Sequence, residues 1–124
     1  CSFVARGFAK EMEHLKDLMI KAIQNKGFSL LEILQPCVSF NKVNTYDWYD
    51  KRVYRLEDKP YDPFDRQSAF LKALEWGDKI PIGVIFQSSR KAYEELAGLD
   101  KEKKPLFKKE REKKDLNGIL EEFY

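Results

Sequence analysis

The strongest constraint in this chain is the stretch Gly27 to Tyr49, GFSLLEILQPCVSFNKVNTYDWY, where an apolar strand runs into a proline, a cysteine and a polar aromatic segment. The run Phe28-Ser29-Leu30-Leu31-Glu32-Ile33-Leu34 is too continuously apolar for a strand with one wet face, and Gly27 and Pro36 bound it. That is the pattern of a parallel strand covered on both sides. In open α/β sheets ligands collect outside the carboxyl ends of the strands, so Cys37 is better placed for chemistry than a thiol in mid-strand. Residue type and placement alone are more often those of a buried, inert thiol.

Upstream, Ser2-Phe3-Val4-Ala5 reads as a strand over 2–6. From Ala9 to Lys26 the residues Met12, Leu15, Met19, Ala22 and Ile23 recur at helical spacing, opposite Glu11, Lys16, Asp17 and Lys21. Strand, helix and the strand over 28–34 make one βαβ unit with parallel strands and a right-handed crossover. A doubly wound sheet needs more strands than this. The first residue is Cys1, directly inside a strand, which predicts the end of a longer polypeptide that supplies them. Cys1 itself reads as a buried strand residue.

After Cys37, Asn44 or Thr45 can cap a short helix in which Tyr46, Tyr49, Val53 and Leu56 share a face, with Asp47 in its first turn. Residues 57–63 cannot be regular structure. Asp62-Pro63 predicts an N-cap and first helical position, opening a helix from Pro63 to Trp76 that closes at Gly77. Ile80 to Phe86 follows as a strand that Pro81 confines to an edge, unless Ile82 is its true start. Ser88 or Ser89 can cap a last short helix through Leu96, ended by Gly98. Lys101 to Asp115 then holds eight basic and four acidic residues. Leu116, Ile119, Leu120 and Phe123 form an apolar stripe, predicting a small amphipathic helix.

The whole chain has 124 residues, is 43% hydrophobic and 35% charged, and carries a net charge of only +2. These values fit one modest α/β domain and give no global footprint for nucleic acid. Two cysteines and the lack of a long apolar run argue against a disulfide scaffold or a membrane protein and predict a reducing, cytoplasmic setting.

QPCVSFNKVNTYDWYDKRVYRL closely resembles the segment near the C-terminus of the β subunit of 2-oxoacid:ferredoxin oxidoreductases. These thiamine diphosphate enzymes oxidatively decarboxylate 2-oxoacids to acyl-CoA. The similarity extends through FVARGFA and KGFSLLEIL and to the strand KIPIGVIF; it does not include the last two dozen residues. The resemblance implies the end of a thiamine diphosphate-binding fold over 1–41, a mostly helical appendage over 42–98, and a charged tail over 99–124. It implies an α subunit as partner, ferredoxin as electron acceptor, and a 2-oxoacid such as pyruvate together with CoA as substrates.

In the family a 4Fe-4S cluster is held by a C-x-x-C pair, a third cysteine and the cysteine of the P-C-V motif. Cys37 matches the last of these, so the resemblance makes it an iron ligand. Soft thiolates suit such a cluster and tune its potential. The family's G-D-G and asparagine motif for the diphosphate and Mg²⁺ is absent, since Gly77-Asp78-Lys79 reads as a helix stop with a polar turn. The thiamine diphosphate and Mg²⁺ site is therefore expected outside this chain, which alone should be inactive.

Ser39 and Asn41 are expected to tune the cluster through hydrogen bonds near its sulfurs. Phe40, Asn41, Asn44 and Trp48 read as a helix cap with aromatic packing ahead of direct cofactor contact. His14 is the single histidine and is expected on the exposed side of the first helix, giving zinc nothing to build on. Asp47 and Asp50 read as helix-face charges. The basic run at 101–114 reads as a solvated face, or as a patch for an acidic protein such as ferredoxin, because glutamates interrupt it and only Phe107 could stack on a base. The alternative function is a non-catalytic interaction module that kept the fold.

Overall fold

The computed structural model describes residues 1–99, 106–108, 118, 120 and 121. Two compact units divide the chain, Cys1–Ala92 and Tyr93–Tyr124. In the first, β1 (Phe3–Phe8), α1 (Met12–Gln24) and β2 (Ser29–Leu34) form the expected βαβ unit, and β1 and β2 are parallel over their full length, Phe3 opposite Ser29 through Phe8 opposite Leu34. Then come α2 (Tyr46–Asp50), β3 (Val53–Arg55), a 3-10 turn (Leu56–Asp58), α3 (Arg66–Leu74) and β4 (Ile80–Gln87). The sheet order is β2-β1-β4-β3. The segment after Asn41 therefore contributes two strands to the same sheet, and β1 lies in the interior, with β4 antiparallel along its second edge.

Strand alternation sorts the core into two faces. Phe3 and Ala5 pack beneath Leu18 of α1, with Ala22, Leu31 and Val84 around them. On the other face Val4 joins Leu56, Ala69 and Ile85 below α3. The α1 contact is the stripe Leu15, Leu18, Ala22, which keeps Leu15 and Ala22 of the predicted stripe and adds Leu18, while Met12, Met19 and Ile23 are exposed. Both stripes satisfy helical spacing and share Leu15 and Ala22; at Gly7 a Cβ would lie 2.6 Å from Leu15 Cδ1 and 3.5 Å from Leu18 Cδ1, so the glycine lets this face of α1 approach β1 closely.

Several boundaries differ from the sequence reading. β2 is an edge strand with Leu30 50% and Ile33 40% exposed, not a strand covered on both sides. Its uniform apolarity does not reveal that α1 covers one face only. α2 stops at Asp50, and Val53 enters β3 because its neighbours pair with Ile80–Ile82. Asp65, not Asp62, caps α3, its carboxylate accepting from Gln67 N at 3.0 Å; Asp62 closes the preceding turn by accepting from Phe64 N.

Pro81 lies in an interior strand. The β1–β4 ladder ends at Arg6 opposite Gly83, so the missing N–H at 81 falls past that ladder. No serine caps α4 (Tyr93–Leu96), because Ser88 N is tied to Ser2 O at 2.8 Å and the helix begins at Tyr93. Cys1 is exposed and precedes β1. The stripe Leu116, Ile119, Leu120, Phe123 falls mostly outside the described residues. No helix among the described residues is long and apolar enough to cross a membrane.

β4 follows β1 through a bulge, Val4 facing Phe86 and Ala5 facing Val84, so Ile85 is the extra residue. Gly83 beside it has φ +121°, a conformation that favours glycine. Gly83→Ala should cost about 1–3 kcal/mol from backbone strain. A Cβ there would also meet the Glu57 carboxylate at 2.6 Å, but that side chain can move away. The urea midpoint should therefore fall equally with Gly83→Ala in wild-type and Glu57→Ala backgrounds; full rescue by Glu57→Ala would show that the glycine serves only space.

Candidate functional site around Cys37

β2 ends at Leu34, and three residues later Cys37 opens a tight loop that closes with Asn41 N donating to Cys37 O at 3.2 Å. Asn41 shapes the next turn: its Oδ1 accepts from Val43 N and Asn44 N, both at 2.9 Å. This is an Asx turn, the local bonding that makes asparagine a turn residue. Thr45 then caps α2, its hydroxyl accepting from Trp48 N at 3.3 Å. Lys42 Nζ donates to Val38 O at 2.6 Å across the loop. Polar contacts within the segment thus fix its path from strand to helix.

The Cys37 thiol is free and exposed. Backbone N–H groups of Phe40, Ser39 and Asn41, in the loop that follows it, hold its pKa below the usual thiol value. Donors aimed at sulfur stabilise thiolate over thiol. The same N–H set is what a metal-bound thiolate needs around it, since hydrogen bonds to sulfur set ligand strength and potential. A cavity of about 260 Å³ opens beside the thiol, with Pro36, Asn41, Thr45 and Tyr46 among its walls. The donor set therefore fits one thiolate ligand of an iron–sulfur cluster.

Cys1 cannot be a second ligand. It lies at the amino ends of the parallel strands, its Sγ donating to Phe3 O at 2.9 Å, whereas Cys37 lies past their carboxyl ends. Among the described residues no group of three His, Cys, Asp or Glu side chains could hold a metal ion. Cys37 could thus be one ligand in a set completed by other cysteines.

The other singled-out residues divide by role. The backbone N–H groups of Ser39 and Asn41 contribute to the lowered thiol pKa, and the Asn41 side chain shapes the loop. Phe40 points away at 92% exposure. Asn44 Oδ1 accepts from Asn41 Nδ2 at 3.4 Å. Trp48 is core packing, with its ring centroid 5.0 Å from Tyr49 and the Arg52 guanidinium 4.2 Å above it. Asp47 joins the cavity wall, and Asp50 pairs with Lys10 at 2.8 Å, which raises the lysine pKa.

His14 contradicts the expectation of a solvent-facing residue. Its side chain is 9% exposed, with Nε2 3.5 Å from Glu57 Oε2 and Nδ1 3.9 Å from Glu11 Oε2. Neither nitrogen makes a hydrogen bond among the described residues. The helical pattern puts it beside Glu13 on the polar face and cannot show that the 3-10 turn folds over it. Sequence reasoning also misses Arg6: buried, it donates to Glu32 at 2.7 Å and to Ala73 O at 3.3 Å, under the Trp76 ring. An arginine inside the apolar run Phe3–Phe8 is the signal that could have found it.

If these N–H groups lower the thiol pKa, Cys37 alkylation by iodoacetamide should rise at lower pH than that of an ordinary cysteine. Asn41→Ala, which loosens the loop, should move the profile back towards higher pH. Peptide mass spectrometry across a pH series would read this, and an unshifted profile for both proteins would contradict the role given to the loop.

Comparison with known proteins agrees with this geometry. Residues 37–102 match the family model for the C-terminal part of the pyruvate ferredoxin oxidoreductase beta subunit, a match that begins at Cys37. The chain is 45% identical over 97 residues to a 2-oxoacid:ferredoxin oxidoreductase subunit beta of Sulfolobus sp, covering 70% of this chain and 32% of the relative. The beta subunit of 2-oxoacid:ferredoxin oxidoreductase 1 from Aeropyrum pernix is 40% identical over 105 residues, covering 76% of this chain and 33% of that one. The chain thus spans about a third of the length of these relatives. A solved 2-oxoglutarate:ferredoxin oxidoreductase from Magnetococcus marinus, with 2-oxoglutarate, coenzyme A and succinyl-CoA bound, superposes with TM-score 0.77 at 26% identity, covering 97% of this chain and 40% of that one. With a family match over more than half its length, this chain belongs to the C-terminal beta-subunit family of the 2-oxoacid:ferredoxin oxidoreductases.

Proposed function

We propose that this chain is the part of a 2-oxoacid:ferredoxin oxidoreductase beta subunit that delivers one thiolate, Cys37, to a 4Fe-4S cluster. The observation that carries the reading is the exposed thiol past the sheet's carboxyl end, beside a cavity of about 260 Å³ and at the residue where the match to the beta-subunit family model begins. The complete enzyme would oxidatively decarboxylate a 2-oxoacid to acyl-CoA, with the α subunit as partner and ferredoxin as acceptor. Thiamine diphosphate and Mg²⁺ would be bound by parts of the protein beyond this chain.

When bound, the cluster supplies one-electron redox chemistry. This chain's residues perform the supporting tasks. The Ser39, Phe40 and Asn41 N–H groups favour the deprotonated sulfur, so less free energy is lost in removing its proton at neutral pH. The Asn41 turn and the Thr45 cap keep those donors in place. Beneath them Tyr46 packs on Phe8, so the loop stands on buried core.

Cys37→Ser in the intact subunit should lower iron and acid-labile sulfide content and the visible absorbance of the cluster. Thiamine diphosphate binding should stay near wild type. Iron content and electron transfer equal to wild type would overturn the ligand assignment.

A further inference from the structure

A second cavity, of about 710 Å³, opens on the same compact unit and takes no part in holding Cys37. Five cations line it, Lys51, Arg52, Lys59, Lys72 and Lys79, against two carboxylates, Glu75 and Asp78. Its aromatic surface is Tyr54, Tyr61 and Trp76, the last 53% exposed.

The polar groups on its floor are already satisfied within the protein. Tyr54 OH donates to Glu75, Lys72 Nζ bonds Glu75 Oε1 at 2.6 Å and Tyr54 OH at 3.2 Å, and Tyr61 OH donates to Ile85 O. Arg52 is stacked on Trp48 and donates to Trp48 O. Lys51, Lys59 and Lys79 make no ion pair among the described residues. The cavity therefore offers long, unengaged cations around an aromatic patch, with few fixed donors to orient a small molecule. Such a surface recognises a partner by charge and apolar contact, which steers encounter more than it fixes one bonded pose.

Its position matters as much as its charge. Trp76, in the cavity wall, lies 6.5 Å from Tyr49 between ring centroids; Tyr49 lies 5.8 Å from Phe8; and Phe8 lies 5.9 Å from Tyr46, which lines the Cys37 cavity. One packed aromatic cluster thus separates the two cavities.

We propose that this basic, aromatic-lined cavity is the docking surface for the acidic electron-carrier protein that the enzyme reduces. The proposal rests on the function assigned above; the 101–114 run, the other basic segment, lies outside the described residues except for 106–108.

The test uses the intact enzyme, with 2-oxoacid and CoA as substrates and either an acidic iron–sulfur carrier protein or methyl viologen as acceptor. Reversing Lys51, Lys59 and Lys79 to Glu together should raise KM for the carrier about tenfold or more at low salt. It should also flatten the dependence on ionic strength and leave dye reduction unchanged. If triple reversal unfolds the subunit, Lys59→Gln and Lys79→Gln carry the same decision, each expected to raise carrier KM in part. Carrier KM and salt dependence equal to wild type, with dye reduction intact, would overturn the docking surface alone. A wild-type enzyme that reduces neither acceptor would overturn the functional reading and the docking surface with it. Weakened ATP binding with unchanged carrier kinetics would assign the cavity to small anions and likewise overturn the proposal.

Discussion

The Phe8 ring joins the parts of this molecule that its chemistry requires to be joined. It is fully buried at the carboxyl end of β1, against Leu34 at the end of β2 and Ile80 and Ile82 of β4. Tyr46 and Tyr49 of α2 tilt onto it at 5.9 and 5.8 Å. Leu34 precedes the Cys37 loop and Tyr46 follows it, so one side chain anchors both ends of the loop. Aromatic contacts of this kind add to the area they bury, and truncating a buried phenylalanine costs several kcal/mol. The loop can remain exposed and still be held in one shape because its two ends are part of the core.

The β1–β4 pairing makes that anchoring possible. A βαβ unit alone would leave one edge of β1 open and Phe8 half covered. β4 closes that edge and carries β3 beside it. Arg6 reinforces the arrangement from within, reaching Glu32 of β2, the Ala73 carbonyl of α3 and the Trp76 ring. A buried charge of this sort is tolerated because Nε and Nη2 are paired and bonded, although Nη1 has no hydrogen-bond partner among the described residues. The segment after Asn41 thus supplies strands as well as helices, and through Trp76 and the basic cavity it connects the Cys37 region to a second surface.

The parts of this design legible in the sequence are those set by local rules. Short apolar runs mark β1 and β2 and a helical period marks α1, while Gly27 and Pro36 bound β2 and the Thr45 cap ends the loop that holds Cys37. The illegible parts depend on partners distant in sequence. Leu34 is buried and Leu30 is not, although both lie on one face of the same strand, because β4 and α2 residues pack only over its carboxyl end. Val53 fits a helix face until Ile80 pairs with it. His14 reads as polar surface until residues 56–58 fold over it. The lowered pKa of Cys37 is illegible for a related reason: it comes from backbone N–H groups, which every residue but proline carries, and only their direction matters.

The most direct test of the account concerns the bond between Cys37 and iron. Selenocysteine would be incorporated in place of Cys37 in the intact subunit, and selenium-edge X-ray absorption recorded on the purified enzyme. The account predicts an iron scatterer bonded to the selenium, beside the side-chain carbon. A selenium spectrum with carbon neighbours alone, in a preparation with full iron content, would contradict it.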